Sequence, residues 1–187
     1  EQTIAADVPA PESYPSGAMP ENPRWFSPPA FGMTDYSDLF TNRQLTALTT
    51  FSSLVAEAQA KAEADAVAAG VVNDHIALSA GGSGARAYGE AVGVYLSFGV
   101  SRLTDICNAL CRWEVSKTQV RNLFGRQAIP MLWDYAENNV FAGAAGDYTT
   151  SLGSIIKVLE RFNSNIPGVA KQFDAQSDCG LRNIMVS

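Results

Sequence analysis

His75 is the only histidine, so any Ser-His-Asp or Cys-His catalysis would have to run through it. It falls in a loop without a nucleophile motif beside it, and a solvent-facing or capping imidazole is the simpler reading. Cys107 and Cys111 lie one helical turn apart and could share a metal. A structural zinc site wants four ligands, however, and only the distant Cys179 and His75 remain to complete it. Buried, inert thiols explain the pair better. Asp134 and Glu137, three apart beside Trp133 and Tyr135, are the kind of paired carboxylates that move protons, but an exposed helix face would place them equally well. Asp174 is more pointed. It ends a predicted short strand (169–173) and precedes an apolar one (181–186), and open α/β sheets bind ligands beyond the carboxyl ends of their strands. A carboxylate there accepts from a nucleotide ribose or adenine amine, or else it forms a turn or caps a helix. None of these groups identifies an enzyme: no catalytic residue and no metal ligand is assigned.

The cluster Gly81-Gly82-Ser83-Gly84 raises the question of a phosphate cradle. It lacks the Walker lysine and does not match G-x-G-x-x-G. It reads as a connector that caps the following helix.

Charge is uneven along the chain. Residues 1–100 carry 4 basic and 11 acidic side chains, whereas 101–187 carry 9 and 8. Within 101–126, Arg102, Arg112, Lys117, Arg121 and Arg126 stand against Asp105 and Glu114. The whole chain is too acidic for a general nucleic-acid binder, but this stretch forms either a local basic face or a solvated helix surface. No apolar run approaches the roughly 20 residues needed to cross a bilayer. The chain starts at Glu1 without a charged-then-apolar leader and has an odd number of cysteines, which predicts a cytoplasmic protein with reduced thiols.

The elements that must position these groups are mainly helical. Seven of the nine prolines fall within residues 1–30, which predicts an extended arm with Trp25 and Phe26 as anchors. Thr41-Asn42-Arg43-Gln44 fits a capping box. Leu45, Leu48, Ser52, Val55 and Ala58 follow at helical spacing, with Phe51 and Leu54 widening the stripe, and the helix runs to Ala69 with Gly70 as its stop. A second helix is predicted over 85–110 with Tyr88, Val92, Tyr95, Gly99, Leu103, Ile106 and Leu110 inward. Its glycines Gly89, Gly93 and Gly99 demand close packing, which Ala62, Ala66 and Ala69 would permit. Ser116-Lys117-Thr118-Gln119 suggests a capped short helix through Arg126, Pro130 the first turn of another through Ala136, and Ser151–Phe162 a last one with Leu152, Ile155, Ile156 and Leu159 inward.

Four stretches resemble one family, the large bacterial proteins described as adenine-specific DNA methylases with a zinc ribbon and found in antiphage defence islands. They are "FGMTDYSDLFTNRQLTALTTFSSLVAEA" (31–58), "AYGEAVGVYLSFGVSRLTDICNALCRWE" (87–114), "RNLFGRQAIPMLWDYAENNVF" (121–141) and "VLERFNSNIPGVAKQFDAQSDCGLRNIMVS" (158–187). The resemblance covers most of residues 24–187, and its third stretch is the most specific.

It implies an internal segment of an S-adenosylmethionine-dependent DNA methyltransferase. In that family the cofactor's glycine loop and the zinc ribbon lie upstream, and an Asp-Pro-Pro-Tyr motif follows the strand that "NIMVS" resembles. "QFDAQ" resembles the strand end whose Asp contacts the cofactor adenine, a role that carries over to Asp174 alone. Three parts follow: a Pro-rich arm (1–30), a helical insertion domain (31–163) and two strands of a partial methyltransferase domain (164–187). The expected fold is mainly α, a helical bundle with two short C-terminal strands. The implied partners are DNA and the remainder of the methyltransferase chain, with no membrane. Neither activity nor cofactor binding is expected of this segment alone. Arg121 and Arg126 are the expected DNA contacts: either one holds phosphate while the other pairs with Asp134 or Glu137, or both tie helix ends together. The rival reading is a structural spacer or protein-docking module that never touches nucleic acid.

Overall fold

The computed structural model describes residues 8–22 and 24–162. Its frame is a pair of long helices, α1 (Asn42–Ala68) and α2 (Ala85–Ile106), joined by the loop 71–84. The capping box forms as read. Thr41 Oγ1 accepts from the Gln44 amide and Gln44 Oε1 accepts from the Thr41 amide at 2.9 Å. At the other end Gly70 takes the left-handed φ of +90° that ends the helix.

The two helices run antiparallel, with Leu48 packed in one cluster with Leu103 at one end and Gln59 and Glu63 against Gly93 and Gly89 at the other. A Cβ on Gly89 would sit 2.9 Å from the Gln59 carbonyl oxygen, so glycine is what lets the helices approach. The buried stripe of α2 therefore differs from the predicted one at its start. Tyr88 is exposed, and Ala85, Gly89 and Gly93 face inward in its place. Backbone proximity favours small side chains there over a large aromatic one. α2 also stops at Ile106, short of the predicted 110; Leu110 is still buried, in the turn that follows.

The loop 71–84 is held by its own carboxylates. Asp74 accepts from the amides of Ile76 and Ser83, and Glu90 accepts from Leu78 while pairing with Arg86. Gly84 is the N-cap of α2, as its position suggested.

Between 107 and 147 the predicted helices give way to other structure. Arg112–Glu114 (β1) and Gln119–Arg121 (β2) form a two-stranded antiparallel ribbon turned over 115–118, with Thr118 at a φ of +48°. The β-branched and aromatic residues Trp113, Val115 and Val120 favour this pairing over the weak capping signal. Residues 127–139 form no helix, and only Ile129 pairs, in an isolated bridge with Phe26. Their amides are taken by tertiary acceptors: Ile129 by the Trp25 carbonyl, Met131 by Ser27 Oγ and Ala136 by the Cys111 carbonyl. Ala128, Ile129, Met131 and Leu132 are apolar in succession, which suits a segment laid between neighbours better than a one-sided helix.

The last helix, α3 (Tyr148–Leu159), starts three residues before the prediction because Asp147 caps it, accepting from Thr150. α3 docks where Gly99 of α2 leaves room for Tyr148 and Leu152. Of its predicted inward residues, Leu152, Ile155 and Leu159 are half-buried and Ile156 is exposed.

Two core clusters share Phe40. One gathers Met19, Leu39, Leu110, Leu123 and Ile129, with Phe26 packed on it as anticipated; the other gathers Leu48, Leu103, Cys107 and Val140. The fold is thus mainly helical with one small sheet. The strands expected at 169–173 and 181–186 lie outside the described residues, so the observed ribbon is a different pair. No helix among the described residues is long and apolar enough to cross a membrane.

Candidate nucleic-acid interface

The ribbon brings two cations of the basic stretch together. In its register Arg112 faces Arg121 and Glu114 faces Gln119, so Arg112, Glu114 and Arg121 share one face while Trp113 and Val120 take the other. Arg121 Nε lies 2.9 Å from Glu114 Oε2. At the base of the ribbon Asp105 accepts from the Phe124 amide at 2.7 Å and pairs with Arg102 at 3.1 Å, and its carbonyl accepts from Leu123.

Both acids of the stretch are therefore engaged locally. Arg112, Lys117 and Arg126 are exposed and make no ion pair among the described residues. Exposed aromatic groups occur in the same part of the chain. Trp113, Phe124, Trp133 and Tyr135 are all exposed, Trp133 at 76%. Phe31 meets Trp133 edge-on at 5.2 Å, and Arg24 lies 5.2 Å from the centre of the Trp25 ring.

The expected partnerships are redrawn. Asp134 and Glu137 do not share a helix face: Asp134 accepts from the Trp113 amide, and Glu137 forms a bidentate pair with Arg43 at the start of α1. Neither pairs with Arg121, whose partner is Glu114, or with Arg126. The physical cause is the missing helix, without which residues three apart no longer share a face. Arg112 and Lys117 join the candidate cations through the ribbon, which helical spacing does not anticipate. The alternation Arg-Trp-Glu, set against Gln-Val-Arg, is the strand signal that would have placed them.

Comparison with known proteins finds no family model, no curated protein and no solved structure that matches this chain.

The remaining candidates resolve as follows. His75 is exposed on the loop at a φ of +54°. Cys107 and Cys111 are buried free thiols; burial first, and the neighbouring Cys111 second, push Cys107 up to about 12. Such a thiol stays protonated at neutral pH and is a poor nucleophile or ligand. Asp174 and Cys179 lie outside the described residues. The glycine cluster 81–84 does not form a cofactor loop: it follows a short 3-10 turn, not a strand, and is pressed against its own chain, a Cβ at Gly82 falling 2.1 Å from the Ile76 carbonyl oxygen.

Proposed function

We propose that this chain is the helical insertion of an S-adenosylmethionine-dependent, adenine-specific DNA methyltransferase, and that its ribbon face holds DNA. The resemblance of four stretches supplies the family. The observation that carries the DNA role is the set of exposed cations Arg112, Lys117 and Arg126, with exposed Phe124 two residues from Arg126 and both acids of the stretch already engaged. Cations contact phosphate and aromatic rings stack on bases, the combination that single-stranded or locally opened nucleic acid requires. Enzymes that act on a base take it out of the helix, so an insertion that grips unstacked DNA suits such a parent. Arg121 contributes less, because Glu114 neutralises it. Asp174 is assigned to the cofactor adenine of the parent, on the resemblance alone.

The second reading is a spacer or docking module, and the half-exposed apolar residues of α3 favour it. DNA binding measured against salt separates the two. A phosphate-gripping face loses affinity steadily as salt rises, and replacing Arg126 or Arg112 by Ala flattens the dependence by about one unit of slope each. Absence of salt-dependent binding, or a slope unchanged in both variants, removes the DNA role and leaves the docking reading.

A further inference from the structure

Beside the contact of Tyr148 and Leu152 with Gly99, a groove of about 640 Å³ opens between α2 and α3. Tyr95 and Phe98 form one wall, and Ile155, Val158, Leu159 and Phe162 form the other. No residue of α3 is fully buried, and Phe98, Val158 and Phe162 are each more than half exposed. Single apolar residues on a surface are ordinary, but a continuous trough of them marks a place where something packs.

The polar groups of the trough are already used. Ser151 and Ser154 donate to the carbonyls of Asp147 and Thr150, and Arg102 pairs with Asp105 at 3.1 Å. The groove therefore offers apolar area rather than free donors or net charge. It suits an apolar stretch of chain better than a polar small ligand or a nucleic-acid strand.

The nearest such stretch belongs to the chain itself. Phe162 is both a wall of the groove and the last described residue, so the chain leaves from the groove's own edge. The linking residues 163–168 can span up to about 20 Å. The helix from Thr150 to Leu159 covers only about 14 Å, so every part of the groove is within reach. The link ends in Pro167-Gly168, a pair that favours a turn. Beyond it come the runs 169–173 and 181–186, which carry Val169, Phe173, Leu181, Ile184, Met185 and Val186. Attachment at Phe162 keeps them near the groove at an effective concentration in roughly the millimolar range, which a second copy or a separate partner must exceed to displace them.

We infer that residues 169–186 fold back over this groove and are its occupant, with Phe173 and Ile184 seated against Phe98, Val158 and Phe162. The groove is then the seam between the helical body and the chain that follows it. The inference goes beyond the DNA reading and does not rest on it. It instead accounts for the exposed apolar residues of α3 that favour the docking reading.

The test uses the full chain. Methyl-detected NMR should show contacts from Ile155, Val158 or Leu159 to residues 169–186. In a sample that mixes isotope-labelled with unlabelled chains, those contacts should stay within one chain. Trypsin cleavage after Lys171 and Arg182 gives a second readout. Phe98→Glu places a good helix former at an exposed mid-helix position and should speed both cleavages roughly tenfold or more, because it releases the segment. Val72→Glu, 78% exposed on the loop 71–84, should leave them unchanged. Absence of contacts from the groove to 169–186 overturns the inference, and contacts found only between chains overturn it in favour of a second copy. Cleavage unaltered by Phe98→Glu, in a variant whose circular dichroism matches that of the parent chain, overturns it as well. If that variant loses helicity, the contacts in the unaltered chain decide. None of these readouts involves nucleic acid, so the salt-dependent binding of the ribbon stands or falls separately.

Discussion

Arg112 and Arg121 stand directly opposite each other in the ribbon, two positive side chains on one face of an antiparallel pair. Like charges so placed repel, and only Arg121 is offset, by Glu114. A ribbon selected for stability alone would not carry Arg112 there. The repulsion is relieved when an anion lies between the two, which ties this local cost to the proposed phosphate contact.

Replacing Arg112 with Thr should therefore stabilise the protein by about 0.2–1 kcal/mol, because a strand-favouring neutral residue replaces a repelled cation. The same variant should bind DNA more weakly. Thermal melting and a salt titration of binding check the two halves, and a variant that loses both stability and affinity contradicts the account.

Three of the four helical glycines, Gly89, Gly93 and Gly153, predict three different outcomes on substitution by Ala. Intrinsic preference favours Ala over Gly by roughly 1 kcal/mol within a helix. At Gly153 of α3 a Cβ meets nothing within 4 Å, so Gly153→Ala should stabilise by about that amount. At Gly93 the nearest obstacle is the end of the Gln59 side chain, which can swing away, so the change should be close to neutral. At Gly89 the obstacle is α1 backbone at 2.9 Å, so Gly89→Ala should destabilise despite the better helix former. Chemical denaturation ranks the three.

Leu103 is fully buried in the cluster with Leu48, Cys107 and Val140. Leu103→Ala should cost roughly 2–5 kcal/mol, the range for a core cavity that relaxes only in part. Leu54→Ala, on the exposed side of α1, should cost far less, which a paired denaturation experiment would show.

Asp147 gives the pH dependence. Hydrogen bonds from the Gly143 amide, then from Thr150, lower its pKa below the ordinary 3.8. A folded-state pKa below the unfolded one adds stability that is present above the unfolded value and lost as pH falls through the folded one. Stability should thus decline on acidification below about pH 4, and Asp147→Asn should flatten that decline. Asp147→Ala should also remove the helix cap, costing about 0.5–2 kcal/mol at neutral pH. At the alkaline end Cys107 acts with the opposite sign. Its raised value keeps the thiol neutral in the folded state, so stability present below the ordinary 9.0 is lost as pH climbs toward about 12.

What the sequence made legible was local. The Thr41 capping box, the Gly70 stop and the glycine contacts between α1 and α2 each depend on residues close in sequence or on side-chain size. The stretch 112–139 was misread because its structure is set from far away. Pro130 and the apolar residues after it fit a helix start, yet Trp25 and Ser27 supply the acceptors that the Ile129 and Met131 amides use instead. The candidate site inherited that error. Arg121 was found as a cation, but its partner Glu114 became its neighbour only through strand pairing, which no helical spacing anticipates.

The hydrogen bond from the Met131 amide to Ser27 Oγ spans 104 residues. The helical pair α1–α2 is a local structure that can assemble while the chain is still being made. Met19 and Phe26, by contrast, belong to a cluster that is incomplete until Ile129 arrives. Long-range closure of this kind is slow relative to helix pairing. The proline-rich stretch is thus among the last parts to find its place, exposed until the residues that will hold it, more than a hundred positions later, have been made.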